Sequence, residues 1–268
     1  MSRLATRFAA LRGAGRKALV TFITAGDPVP AATVPALHAL VAGGADVLEV
    51  GVPFSDPEAE GPSIQRSSER ALAAGMSLRG ALSIVREFRR DDAETPIVLM
   101  GYLNPIECYG YGEFVVAAAD AGVDGLIIVN LPPEAADDMR AKMQRRELDL
   151  IFLVAPTTTA ERVALIAARA AGFVYYVSLK GVTGADHLRL EGISHQVATI
   201  RHATDLPVMV GFGIKDSAAA RAVAELADGV VVGSALVDTM ERHRGDIEQT
   251  CTALREQVRD LRTAIDAR

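Results

Sequence analysis

The sequence has only two cysteines, Cys108 and Cys251, and no pair with CxxC spacing. Two isolated thiols predict neither a disulfide framework nor a zinc or redox site, so a cytoplasmic, reducing compartment is expected. Long hydrophobic runs are also missing, since no stretch reaches the ~18 consecutive apolar residues that span a bilayer. The sequence therefore predicts no membrane segment.

A basic surface for nucleic acid is not indicated either. The 28 Lys and Arg residues are outnumbered by 34 Asp and Glu, which gives a formal net charge of −6. Nucleic-acid binding domains usually carry a concentrated basic excess. The five histidines lack metal-ligand spacing, and neither a complete GxGxxG nor a GxxxxGK[ST] motif occurs. No metal, NAD or ATP site is predicted.

Short β-branched apolar runs alternate along the chain with Ala-rich segments of helical period. The runs are nearly continuous, as in parallel strands that are buried on both faces. The eight predicted strands are Ala18 to Thr24, Val47 to Val52, Pro96 to Tyr102, Gly125 to Val129, Leu150 to Val154, Val174 to Leu179, Pro207 to Gly211 and Gly229 to Val232.

Helix candidates lie between these strands. They are Ala31 to Gly43, Ser77 to Phe88, Phe114 to Ala121, Pro133 to Arg146, Thr159 to Ala171, Ser194 to His202, Ala218 to Ala227 and Gly245 to Ile265. Eight βα units in a chain of this length favour a (β/α)8 TIM barrel, class α/β, over an open doubly wound sheet. No linker divides the chain, so residues 1–268 are predicted to form one barrel domain.

The N-terminal segment is predicted to be an extra helix. Residues Met1 to Gly26 contain four arginines and no acidic residue, a composition also found in organelle transit peptides. However, Leu4, Phe8 and Leu11 recur at helical spacing immediately before the first strand. This spacing favours a folded helix over a removable leader.

The last two strands end in small residues, which predicts a phosphate site. Gly211 and Gly213 follow strand seven, and Gly233 and Ser234 follow strand eight, each before a helix candidate. Glycine allows a close approach of the backbone, and amides at a helix N-terminus attract anions. The loops after strands seven and eight are the frequent phosphate site of these barrels. The alternative is that both pairs are tight turns.

Two carboxylates are candidates for acid–base chemistry. Glu49 interrupts the apolar second strand, and a buried carboxyl group has a raised pKa unless it is paired. It is predicted to be a general acid and base, with a structural hydrogen-bonded carboxylate as the alternative. Glu60, Asp56 and Glu58 lie in the following loop, which is long enough to fold over a substrate. From the spacing alone, however, solvated loop residues are the favoured interpretation of all three.

Tyrosines and a glycine-bearing loop complete the candidate set. Tyr102 ends strand three and Tyr175 lies in strand six, where both are placed to hydrogen-bond a substrate or Glu49, although packing alone would also explain them. The segment from Ser178 to His187, with Thr183 and Gly184, is predicted to be a lid. Within it, Lys180 is interpreted as a solvated loop residue rather than a Schiff-base lysine.

Several of these segments resemble the signature of the tryptophan synthase α subunit family. The longest match is Leu48-Glu49-Val-Gly-Val-Pro-Phe-Ser-Asp-Pro57 followed by Gly61-Pro62-Ser-Ile-Gln65. Further matches are Phe22-Ile-Thr24-Ala-Gly-Asp27-Pro, Met100-Gly-Tyr102-Leu-Asn-Pro105, Tyr175, Gly181-Val-Thr183-Gly184-Ala, Gly211-Phe-Gly213 and Gly233-Ser234. They extend over residues 22 to 235.

The resemblance implies a (β/α)8 lyase in the last steps of tryptophan biosynthesis, which cleaves indole-3-glycerol phosphate to indole and glyceraldehyde 3-phosphate. It implies Glu49 as the acid–base group and a carboxylate near indole N1, where the family normally has Asp and this chain has Glu60. Tyr175 would line the site as the third member of the catalytic set. Substrate contacts would come from Phe22, Met100, Tyr102, Thr183, Gly184, Phe212, Gly213, Gly233 and Ser234.

A partner is implied in the same way: a β subunit that carries pyridoxal phosphate, in an α2β2 complex, whereas the chain itself needs no cofactor. Besides Glu60, the sequence departs from the family at Asn130, where Asp is common, and at Lys180. Two alternatives stay open. The chain could be a paralogue that acts on a related indole or glycerol phosphate without a β partner, or a catalytically weak activator of a β subunit.

Overall fold

The computed structural model describes residues 2–178, 187–211 and 213–267. Its parallel strands form a closed barrel in which each strand pairs with the next and β8 pairs with β1. The strands are β1 Ala18–Thr24, β2 Val47–Gly51, β3 Ile97–Gly101, β4 Gly125–Ile128, β5 Asp149–Val154, β6 Val174–Val177, β7 Val208–Gly211 and β8 Gly229–Val232. The predicted (β/α)8 barrel is confirmed.

Helices surround the barrel. In the described ranges they are α1 Arg3–Gly13, α2 Pro30–Gly43, α3 Pro62–Ala73, α4 Leu78–Phe88, α5 Leu103–Tyr109, α6 Tyr111–Ala121, α7 Asp137–Gln144, α8 Ala160–Ala167, α9 His187–Ala203, α10 Ser217–Leu226, α11 Ser234–Arg242 and α12 Ile247–Asp266. A short 3₁₀ helix, Pro133–Ala135, precedes α7. Across these ranges no helix is both long and apolar enough to cross a membrane.

The predicted strands are confirmed with boundaries that agree within one or two residues, except that the predicted end of strand six at Leu179 lies outside the described residues. Three helices were not predicted: α3, α5 and α11. Three predicted helices were wrong in their extent. The prediction from Ser194 to His202 began seven residues late, the one from Thr159 to Ala171 ended four residues late, and Pro133 to Arg146 forms a 3₁₀ turn and then the separate helix α7. Pro133 occupies the first position of that 3₁₀ turn, which is where a residue without an amide donor is tolerated.

Two apolar layers form the core. Side chains of alternate strand residues point outward to the helices, and the others point into the barrel. The inner layer includes Val20, Val98 and Val231. Helix α1 closes the end at which the strands begin, and Phe8 packs edge-on against Phe173 with ring centroids 5.8 Å apart. The opposite end, where the strands finish, is left for the site.

Candidate functional site

A cavity opens inside the barrel at the carboxyl ends of the strands. Its empty volume, counted together with its open mouth, is about 560 Å³. Its lining combines apolar side chains with two carboxyl groups and a tyrosine. The lining residues are Phe22, Glu49, Ala59, Glu60, Ile64, Met100, Leu153, Tyr175, Val177, Gly213, Val231, Gly233 and Ser234. Eight of the twelve predicted site residues are therefore brought together here.

Glu49 lies on β2, next to Phe22 of β1 and Val98 of β3 in the strand register. Its side chain points into the barrel, and the residue is only 1% exposed. Its Oε2 atom has no hydrogen-bond partner among the residues that the structure describes. Burial, together with the nearby charge of Glu60, raises the pKa of Glu49 to about 8. At neutral pH the group therefore carries a proton that it can donate.

Glu60 lies at the end of the β2–α3 loop and is half-buried against the same cavity. Loss of solvent raises the pKa of Glu60 to about 7. Two hydrogen bonds hold the main chain of Glu60. The Glu60 amide donates to the Pro57 carbonyl at 3.1 Å, and Gln65 Nε2 donates to the Glu60 carbonyl at 2.9 Å. Helix α3 begins at Pro62, two residues after Glu60, and so fixes where the loop ends.

The Tyr102 hydroxyl binds the main chain of the β2–α3 loop. The Ala59 amide donates to the Tyr102 hydroxyl at 3.0 Å, and the Tyr102 ring stacks on Phe54 with centroids 5.0 Å apart. The predicted hydrogen bond to Glu49 does not occur in the described part of the chain. Tyr102 lines a smaller adjoining cavity that also borders Glu60, so its contact with substrate stays a prediction.

Tyr175 lies on β6 with its side chain inside the barrel, 8% exposed. Burial and the nearby Glu49 and Glu60 carboxyl groups raise the pKa of Tyr175 well above its ordinary value, so the hydroxyl stays neutral. The hydroxyl approaches Gly211 of β7 so closely that a Cβ there would lie 2.6 Å from it. Gly211 is therefore required by the positions of Tyr175 and of Val231, whose Cβ would lie 2.9 Å from an added Cβ.

The other end of the cavity is formed by backbone. Helix α11 begins at Ser234 with Gly233 as its N-cap, and the first amides of a helix have no partner within it. Gly213 has φ +73°, a left-handed conformation that glycine adopts without strain. The backbone amides at Gly213, Gly233 and Ser234 have the arrangement that the predicted phosphate site needs, since α11 supplies a helix N-terminus that attracts anions.

The predicted residues Thr183, Gly184, Phe212 and Lys180 lie outside the described residues. Asn130 is exposed at the end of β4, where its Oδ1 accepts from the Leu103 amide at 2.7 Å at the start of α5. No cluster of His, Cys, Asp and Glu in the described ranges could hold a metal ion.

Sequence reasoning missed several lining residues. Leu153 of β5, Val177 of β6 and Val231 of β8 follow the inward alternation of their strands, which would have been a usable signal. Ile64 belongs to α3, the unpredicted helix, and had no such signal.

A closed parallel barrel with two carboxyl groups of raised pKa at the carboxyl ends of its strands defines a (β/α)8-barrel acid–base enzyme. Comparison with known proteins specifies the class further. The family model described as tryptophan synthase alpha chain matches residues 8–266.

Named relatives match this chain over almost their whole length. The tryptophan synthase alpha chain of Nitrosococcus oceani is 55% identical over 267 residues, covering 100% of this chain and 98% of the relative. That of Burkholderia thailandensis is 56% identical over 266 residues, with 99% and 97% covered. The crystal structure of the alpha subunit from Legionella pneumophila has a TM-score of 0.92 at 46% identity, with 99% of both chains covered. The chain belongs to the tryptophan synthase alpha chain family.

Proposed function

We propose that this chain, as one (β/α)8 barrel domain, is a lyase that cleaves indole-3-glycerol phosphate to indole and glyceraldehyde 3-phosphate. The observation that carries the proposal is a protonated, desolvated Glu49 in an apolar cavity whose far end is a helix N-terminus. An aromatic ring fits the apolar part, and a phosphate suits the free amides. The membership of the family supports the same reaction.

Glu49 is the acid and then the base of this retro-aldol reaction. It donates its proton to indole C3, which becomes tetrahedral and leaves positive charge on N1. The resulting carboxylate removes the proton of the hydroxyl on the carbon attached to C3. That carbon becomes the aldehyde, the C3–C bond breaks, and its electron pair returns to the ring. One proton enters and one leaves, so Glu49 ends as it began.

Glu60 is the carboxylate that stabilises the N1 proton in the cationic intermediate. An ionised group there lowers the energy of the transition state because charge develops at N1. Glu60 is one methylene longer than the usual Asp, and a misplacement of about 1 Å can cost ~100-fold in rate. The Glu60 main chain is held by hydrogen bonds to Pro57 and Gln65, so the extra methylene is accommodated by the side chain itself.

The remaining predicted residues bind the substrate in this proposal. Phe22, Met100 and Phe212 contact the indole, and Tyr175 offers a neutral hydroxyl beside Glu49. The amides of Gly213, Gly233 and Ser234, with Gly184 nearby, hold the phosphate. Thr183 helps to close the lid, and Tyr102 borders the site through the Glu60 loop.

The family implies a partner, and we propose that this chain assembles with a tryptophan synthase β subunit as an α2β2 complex. The pyridoxal phosphate belongs to that subunit. The loop from Pro53 to Gly61 lies at the mouth of the barrel and would lie beside the interface, which gives the partner a direct contact with the segment that carries Glu60. A cytoplasmic location stays a prediction from the cysteine content.

The test is indole release from indole-3-glycerol phosphate by the purified chain, with and without a matching β subunit. We expect slow release alone, strong stimulation by the partner, and loss of release in Glu49→Gln. The matched control is Glu87→Gln, since Glu87 is an exposed carboxylate on α4. Undiminished release by Glu49→Gln would refute the mechanism.

The two alternatives give different results in the same assay. A paralogue without a partner would cleave its substrate rapidly alone and would not respond to the β subunit. A weak activator would raise β-subunit turnover of indole and serine even as the Glu49→Gln variant, without releasing indole itself.

A further inference from the structure

A partly buried ionic cluster lies outside the cavity, between β1, α3 and α11. We call it the Arg70 cluster: Asp27, Ser67, Arg70 and Glu241. Arg70 binds Asp27 through two parallel hydrogen bonds, Nε to Oδ1 at 2.7 Å and Nη2 to Oδ2 at 2.9 Å. Its remaining nitrogen, Nη1, donates to Glu241 Oε1 at 2.9 Å, and Ser67 Oγ donates to Asp27 Oδ2 at 2.8 Å. No step of the proposed reaction uses these residues.

The cluster joins the three elements that frame the site. Asp27 follows β1, the strand that carries Phe22. Arg70 lies on α3, which begins two residues after Glu60, and Ile64 of the same helix lines the cavity. Glu241 lies on α11, whose first residue, Ser234, is at the proposed phosphate end. One guanidinium group therefore links the carboxylate end of the cavity to the anion end.

The attachment to Asp27 is the strong part of this link. Asp27 is fully buried, and a buried carboxylate that loses its partner is strongly destabilising. The two-pronged geometry also fixes orientation, which a lysine ammonium could not reproduce. Arg66, one turn earlier on α3, differs in this respect. It pairs with Glu241 at 3.2 Å but is 50% exposed and has no contact with Asp27 among the described contacts.

The position of α3 determines where Glu60 lies. Gln65 of α3 bonds the Glu60 carbonyl, so the helix and the end of the loop move together. Arg70 is eight residues beyond Pro62, or about 12 Å along a helix that rises 1.5 Å per residue. A rotation of α3 that starts at Arg70 would therefore be transmitted to the other end of the helix, where Glu60 is attached.

We propose that Arg70 is a positioning residue for the reaction: by binding Asp27 and Glu241 together it fixes α3 against β1 and α11, and so sets the separation between the Glu60 carboxylate and the phosphate-binding amides. The inference rests on the proposed function. It predicts that Arg70 affects catalysis through Glu60, rather than through stability alone.

The experiment is a double-mutant cycle on indole release, with Arg70→Lys, Glu60→Gln and both changes in the full chain with its β subunit. In Arg70→Lys we expect kcat to fall about 100-fold, as for a misplacement of about 1 Å, with less than a tenfold rise in KM. In the Glu60→Gln background the same substitution should cost less than about threefold, because the group that it positions is gone. Arg66→Lys is the matched control and should keep the wild-type kcat.

Other outcomes are decisive as well. An unchanged kcat in Arg70→Lys, or an equal loss with and without the Glu60 carboxylate, would overturn the inference. If Arg70→Lys does not fold, Glu241→Ala removes the α11 carboxylate that binds both Arg70 and Arg66 and leaves the Arg70–Asp27 pair in place. It should lower kcat although Arg66→Lys does not, and a wild-type rate in Glu241→Ala would equally overturn the inference. Failure of the wild-type complex to cleave the substrate would instead reject the proposed function.

Discussion

The burial of Glu49 predicts a stability that depends on pH in a direction opposite to that of an ordinary paired carboxylate. In the folded chain the pKa of Glu49 is raised from 4.5 to about 8. Between these two values the folded protein binds more protons at this group than the unfolded chain does. The free energy of unfolding therefore falls as pH rises through this window, and the loss is complete above about pH 8.

The magnitude follows from the same two values. Each tenfold change in an acid dissociation constant corresponds to ~1.4 kcal/mol, so a pKa raised from 4.5 to about 8 corresponds to up to about 5 kcal/mol. Glu49→Gln removes the ionisable group and should abolish this part of the pH dependence. For a chain of this size, at ~2 °C per kcal/mol, the difference amounts to about 10 °C in Tm.

The assay is thermal and urea unfolding of both proteins, followed by circular dichroism at pH 5, 7 and 9. The free energy of unfolding of Glu49→Gln, relative to that of the wild type, should rise steadily from pH 5 to pH 9. The variant should release no indole at any of these pH values. Glu87→Gln, in which an exposed carboxylate is removed, should follow the wild type at every pH. Parallel curves for wild type and Glu49→Gln would mean that the carboxyl group is solvated, and its role as a proton donor at neutral pH would be refuted with it.

Four further predictions concern activity. The pH profile of kcat/KM should be bell-shaped with its maximum between about 7 and 8, because Glu60 must be ionised and Glu49 protonated; a flat profile from pH 6 to 9 would contradict both assignments. Glu60→Asp, which restores the usual family residue, should preserve or raise indole release, and a loss beyond tenfold would mean that the loop is adapted to Glu60 alone. Tyr102→Phe removes the hydroxyl that binds the loop amide at 3.0 Å, so it should lower kcat several-fold and destabilise the loop by about 1 kcal/mol, measured by urea unfolding. Gly211→Ala places a Cβ 2.6 Å from the Tyr175 hydroxyl and should cost about 1–3 kcal/mol of stability by overpacking, together with activity; unfolding and indole release at the wild-type level would show that Tyr175 moves freely.

The barrel could be predicted from the sequence because its strands are continuous apolar runs that differ sharply from the Ala-rich helices. The unpredicted helices have a physical reason. α3 carries three serines and two arginines, which leaves few apolar positions to mark it. α11 has Leu236, Val237 and Met240 at helical spacing, but it follows directly on glycines that were interpreted as a phosphate loop, and α5 is only seven residues long. The N-terminal proline of α3, preceded by Gly61, was the usable signal for its start.

The residues of the candidate site could likewise be predicted from the sequence only in part. Glu49 could be predicted because an acid inside an apolar strand has a burial cost that the sequence alone reveals. Glu60 required the family resemblance, since its half-buried position depends on contacts to Pro57 and Gln65 that no spacing rule gives. Arg70 and Glu241 could not be paired in advance, because 171 positions separate them along the chain.

The pairing of β1 with β8 has a consequence for the order in which this protein matures on the ribosome. Ala18 is aligned with Gly229, so the last contact of the barrel joins segments from opposite ends of the chain. Such long-range contacts form slowly, because the chain loses loop-closure entropy before the contacts that stabilise it can form. Val231 of β8 lines the cavity together with Glu49, so a nascent chain that stops short of β8 lacks one wall of that cavity. We therefore expect the burial that raises the pKa of Glu49 to be complete only when β8 has closed the barrel, near the end of synthesis.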